Sequence, residues 1–122
     1  MKRDMDLIRA ILLQLEEKST GRGAVEIQLD GYGEAQIGYH CELVVEAGLA
    51  RGTKTTTMRS QHPEWSLGRL TWEGHEFLEA SREPTRWEKA KEISRKAGGL
   101  TLGMMLDVLK QLMSQQLGKL IT

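Results

Sequence analysis

The stretch from Ile37 to Leu78 constrains the fold most. Ile37, Cys41, Val44 and Ala47 fall on one helical face, and Gly48 stands where a left-handed helix ending needs a residue without a Cβ. A helix over residues 34–47 is therefore predicted. Residues 49–57 and 66–71 are rich in Thr, Leu and Arg, and Arg59-Ser60-Gln61-His62-Pro63-Glu64 between them has turn chemistry. Two strands joined by a long tip follow from this. Leu70-Thr71-Trp72-Glu73-Gly74-His75-Glu76-Phe77-Leu78 then opens another helix, with Thr71 as its cap and Phe77 and Leu78 turned inward.

The flanking segments are read the same way. Leu7, Ile8, Ile11, Leu12 and Leu15 give residues 4–18 an apolar helical face, and Asp4 or Asp6 suits its start. Val25-Glu26-Ile27-Gln28-Leu29 alternates as a short strand does, ahead of a turn at Asp30-Gly31-Tyr32-Gly33. After Arg82-Glu83-Pro84 a helix over 85–97 is predicted, with Trp87, Ala90 and Ile93 inward and Gly98-Gly99 as its stop. Residues 100–121 place Leu102, Met105, Leu106, Leu109, Leu112, Met113, Leu117 and Leu120 at helical spacing. So wide an apolar face must be buried against helix 4–18, a second copy or another protein. Trp72, Phe77 and Trp87 are expected in the core, and Tyr32, Tyr39 and Trp65 at the surface.

The predicted fold class is α+β, mainly helical: a helix–hairpin–helix domain over 1–83 and C-terminal helices over 84–122 for packing or dimerisation. Seventeen basic and seventeen acidic residues cancel, so a charged partner must be held by a local patch. The single cysteine excludes an intramolecular disulfide and suits a reducing cytoplasm. The first residues alternate charges ahead of the helix and lack the apolar core of a secretory signal. No uncharged apolar run approaches the roughly 18–20 residues that span a bilayer, so no membrane partner is expected. His40 and Cys41 are adjacent and point about 100° apart on a helix, while His62 and His75 belong to other elements, so no metal is predicted. No nucleophile elbow, phosphate loop or zinc-protease motif occurs. Neither cofactor nor enzymatic activity is expected.

Several of these features together resemble the bacterial and phage family called domain of unknown function 2513. They are the opening Met-Lys-Arg-Asp-Met-Asp-Leu-Ile-Arg, Ile37-x-x-His40, Glu46-Ala47-Gly48-Leu49, Leu70-Thr71-Trp72-x-Gly74-His75-x-Phe77-Leu78 and Trp87-x-x-Ala90. The resemblance covers roughly residues 1–97 and implies a winged helix-turn-helix-like fold. A more distant resemblance is to winged-helix repressors of the metal-sensing and multidrug-sensing kinds, whose recognition helix ends in a comparable Ala-Gly-Leu. It implies DNA binding and a twofold dimer formed through helices flanking the wing. In such repressors, the positions of Tyr39, Glu42 and Val45 often carry basic or polar base readers.

Residues 23–50 contain no Lys or Arg but five acids, Glu26, Asp30, Glu34, Glu42 and Glu46, which opposes approach of that helix to phosphates. The hairpin segment 51–69 carries Arg51, Lys54, Arg59 and Arg69 against Glu64 alone. Arg51, Lys54, Thr55, Arg59, His62 and Arg69 are therefore the candidate nucleic-acid contacts, tracking a backbone or entering a minor groove of double-stranded DNA. Tyr39, Glu42 and Val45, with Leu106, Leu109, Met113 and Leu117, are the candidate protein interface for a host or phage protein or a second copy. Two functions follow: a small DNA-binding regulator acting through its hairpin, or a protein adaptor or inhibitor acting through the acidic and C-terminal helices.

Overall fold

The structure, a computed structural model, describes residues 1–121. In chain order it contains α1 (Met5–Lys18), α2 (Glu34–Glu46), β1 (Ala50–Lys54), β2 (Trp65–Leu70), α3 (Trp72–Ser81), α4 (Pro84–Lys96) and α5 (Leu102–Ile121). This is a mixed α+β architecture, mainly helical, with the helix–hairpin–helix order expected, and it is consistent with a small winged-helix-like domain. The chain divides into two compact units, Met1–His75 and Glu76–Thr122. That division falls inside α3.

In the first unit, α1 starts where the Asp4 carboxylate accepts the free amides of Asp6 at 2.9 Å and Leu7 at 3.2 Å. Its apolar face is fully used: Leu7, Ile11, Leu12 and Leu15 are completely buried. α2 packs on α1 and is fastened to it by His40, which is also completely buried. His40 Nδ1 lies 2.8 Å from the Gln36 carbonyl, and Nε2 accepts the Asp4 backbone N–H at 2.8 Å, so the ring is fixed as the Nδ1–H tautomer. Gly48, with φ of 76°, ends the helix as the sequence requires. Cys41 and Val44 are buried, while Ile37 is half-buried and Ala47 is exposed, because Ala47 forms the cap at the end of α2.

β1 and β2 pair antiparallel, Ala50 with Leu70 and Lys54 with Trp65, with a bulge after Arg51 that leaves Gly68 as the extra residue. Thr71 closes the base of this hairpin. Its N–H donates to Leu49 O at 3.0 Å, its hydroxyl donates to Gly48 O, and the same oxygen accepts the Gly74 amide at 3.0 Å to cap α3. Gly74 has no room for a side chain, since a Cβ there would lie 1.9 Å from the Leu49 carbonyl oxygen.

Two expectations fail here. Residues 25–29 do not form a strand: Val25 bridges Leu67, its N–H donating at 2.7 Å, and the chain then leaves β2. The physical reason is Gln14, whose side-chain amide takes both backbone groups of Gln28, each at 2.7 Å, and holds the segment to α1 instead. Trp72 is 76% exposed rather than in the core; in the first turn of α3, Thr71 and Gly74 hold the buried positions instead.

In the second unit Phe77 and Trp87 are buried and meet edge to face, with ring centroids 6.2 Å apart. α4 is capped by Glu83, whose carboxylate accepts the amides of Thr85 at 2.9 Å and Arg86 at 2.7 Å. α4 packs on α5, and Arg86 joins three helices by donating to Ala80 O, Glu79 O and Gln116 Oε1. Ile93, expected inward, stands at the surface at the far end of α4. Met105 and Leu109 are buried, and the end of α5 is exposed, Leu117 by 56% and Leu120 by 84%. Among the described residues no helix is long and apolar enough to cross a membrane.

Candidate functional site

The hairpin register decides which of its cations face outward. Side chains alternate along a strand, and the bulge resets that alternation, so Arg51 lies directly opposite Arg69 while Gly52 meets Leu67 on the inner face. A Cβ on Gly52 would lie 2.8 Å from the Leu67 side chain, so the inner face is closed there. The outer face therefore presents Arg51 and Arg69 side by side, followed by Thr53 opposite Ser66. Both arginines are exposed and neither forms an ion pair among the described residues. Arg69 Nη1 donates to the Leu70 carbonyl at 3.2 Å, which steadies the guanidinium against the ribbon.

Beyond the strands the tip is ordered by its own hydroxyls. Thr55 N–H donates to Glu64 O at 2.8 Å, Thr56 Oγ1 accepts the Glu64 amide at 2.9 Å, and Ser60 Oγ accepts the Thr57 amide at 2.9 Å. This presents Arg59 to solvent beside Met58, which is fully exposed. Sequence reasoning missed Met58. Its placement between Thr57 and Arg59 in a turn was the available signal, because an apolar residue at a basic tip has nothing in its own chain to cover it.

The remaining hairpin candidates lie elsewhere. Lys54 is on the inner face opposite Trp65, with Nζ 3.9 Å from Glu42 Oε2, and the same carboxylate oxygen accepts the Trp65 indole N–H at 2.9 Å. Its charge is thus faced by an acid from α2. His62 points toward the start of α2, with Nε2 3.9 Å from Glu34 Oε2 and Nδ1 3.1 Å from the Pro63 carbonyl oxygen. The six candidates divide into an outer pair (Arg51 and Arg69), Arg59 exposed at the tip, a backbone-bonded Thr55, and an inner pair, Lys54 and His62, turned toward α2.

The candidates on the helices divide similarly. Tyr39 is half-buried, its ring edge-on to His40 at 5.6 Å, and Val45 is half-buried. Glu42 is committed to Trp65 and Lys54, which takes it from the presenting face of α2. Leu109 is completely buried within the chain and offers no surface to a partner. Leu106 and Met113 are half-buried, so only Leu117 of that set is open to solvent. Burial pushes the Cys41 thiol up to about 11, which keeps it protonated and unreactive at neutral pH. Among the described residues no three His, Cys, Asp or Glu side chains converge on a common point that a metal would occupy.

The family described as "Hypothetical protein (DUF2513)" matches residues 2–100. A Haemophilus influenzae protein, named as an uncharacterized protein, is 35% identical over 119 residues, covering 96% of this chain and 99% of the relative. No solved structure matches.

Proposed function

The chain belongs to the DUF2513 family, and from that premise we propose that it is a small regulatory protein whose hairpin binds the phosphate backbone of duplex DNA. The observation that carries this reading is the cross-strand pair Arg51–Arg69 on the outer face of the ribbon. Like charges directly opposite one another destabilise a hairpin, and neither arginine forms an ion pair among the described residues. A phosphate supplies the missing anion, and Arg is the side chain suited to hold it bidentately. Arg59 extends the same electrostatic surface to the tip, where Met58 is placed to wedge into a minor groove. α2 contributes no cation, so recognition is of backbone and shape more than of base edges.

The test is fluorescence anisotropy with a labelled duplex at low salt. Binding is expected to weaken steeply as salt rises, and removing each phosphate contact lowers the log–log slope by about 0.9. Arg51→Ala and Arg69→Ala are expected to reduce both affinity and slope, and Lys54→Ala much less. Undetectable binding at low salt, or an unchanged slope in the Arg51→Ala/Arg69→Ala variant, overturns the reading. The exposed end of α5 supports a second role, pairing with another copy or a protein partner through Leu117 and Leu120.

A further inference from the structure

We infer that the outer edge of β2 is a docking site for an extended, Lys- and Arg-rich peptide segment of a partner protein, added to the sheet as a third strand. Thr55 N–H donates to Glu64 O across the hairpin, so the backbone groups of Glu64 and Ser66 face β1 and those of Trp65 and Leu67 face away. Leu67 confirms the alternation, since its carbonyl accepts the Val25 amide on that outer side. The next outward pair belongs to Trp65. There the chain's own segment has left, because Gln14 holds Gln28 to α1.

What remains is a groove of about 900 Å³ between residues 24–32 and the hairpin, with Ile37 and Cys41 of α2 among its lining. Among the described residues its β edge is unpaired at Trp65, and an unpaired edge is a template for main-chain pairing. Charge selects the occupant. Glu26, Asp30, Glu34 and Glu64 line the groove against His62 as the only basic-type side chain. An acidic or neutral strand has no such complement, whereas Lys or Arg on alternate residues meets these carboxylates while the intervening side chains face Ile27, Ile37 and Trp65. This surface is separate from the arginine face of the hairpin, so the two proposals stand or fall independently.

The experiment is an NMR titration of the full chain with a capped seven-residue peptide alternating Lys and Val. Controls are the same peptide with Glu for Lys, and one with N-methylated backbone nitrogens at alternate positions. Saturable shifts centred on Trp65 and Ile27 are expected, with slower exchange of the Trp65 amide. Glu26→Lys/Asp30→Lys, both at exposed positions, is expected to weaken binding about tenfold without loss of fold. No saturable binding overturns the inference, as does equal binding of the Glu peptide. Equal binding of the N-methylated peptide, or a Trp65 amide already protected in the free protein, shows the edge is not the site and overturns it as well.

Discussion

His40 and Asp4 lie 36 residues apart in sequence, and their 2.8 Å hydrogen bond shows what each is for. Asp4 uses its carboxylate to cap α1 and its own N–H to reach His40, so one residue terminates a helix and joins it to the next. His40→Ala leaves that amide and the Gln36 carbonyl without this partner and opens a void, and is expected to cost about 2–4 kcal/mol in urea unfolding. Gly38 acts by absence: a Cβ there would lie 2.0 Å from the Pro63 carbonyl oxygen, so α2 and the hairpin must separate to admit one. Gly38→Ala is expected to destabilise by about 1–3 kcal/mol, with shifts at Pro63 and Trp65. Cys41, its thiol raised from 9.0 to about 11, is expected to alkylate about two orders of magnitude more slowly than an unperturbed thiol until the protein unfolds. Mass spectrometry of iodoacetamide-treated protein checks this.

At the scale of elements, helix periodicity was legible because it is local: five apolar residues of α1 and the Gly48 and Gly98-Gly99 stops are properties of neighbouring residues. What was not legible depended on partners distant in sequence. Alternation in Val25–Leu29 suited a strand, but Gln14 competes for the Gln28 backbone. The hairpin cations were visible as a set, yet their division into outward Arg51 and Arg69 and inward Lys54 follows from one bulge and from Glu42. The cap of α4 carries the pH dependence. Hydrogen bonds from the Thr85 amide, then the Arg86 amide, hold the Glu83 carboxyl below its usual range. A carboxylate depressed on folding contributes stability above its unfolded pKa and loses it as pH falls through the folded one. Glu83→Gln is therefore expected to flatten the acid limb of the stability profile while changing the alkaline limb little, as read by thermal melts across pH.

For the whole molecule, a net charge of zero conceals segregation: residues 23–50 carry only acids, and the hairpin after them carries four cations against one acid. The residues carrying the family resemblance are largely fasteners, Asp4 to His40, Thr71 to Gly48 and Gly74 against Leu49. They explain a shared frame more than a shared activity. In the second unit, the exposed leucines at the end of α5 set the oligomeric expectation. If they pair copies, Leu117→Ser/Leu120→Ser is expected to convert a dimer to a monomer in light scattering with helical content retained. A monomeric parent protein removes the twofold arrangement.

Because Thr71 N–H meets the Leu49 carbonyl at 3.0 Å, the hairpin begins and ends at one point, and its inner face rests on α2 through Pro63 at Gly38 and Trp65 at Glu42. Residues grafted at Thr57–Ser60 lengthen its reach and leave α2 and α3 undisturbed, so natural variants and engineered chains alike are free to tune how far the tip extends toward whatever it touches.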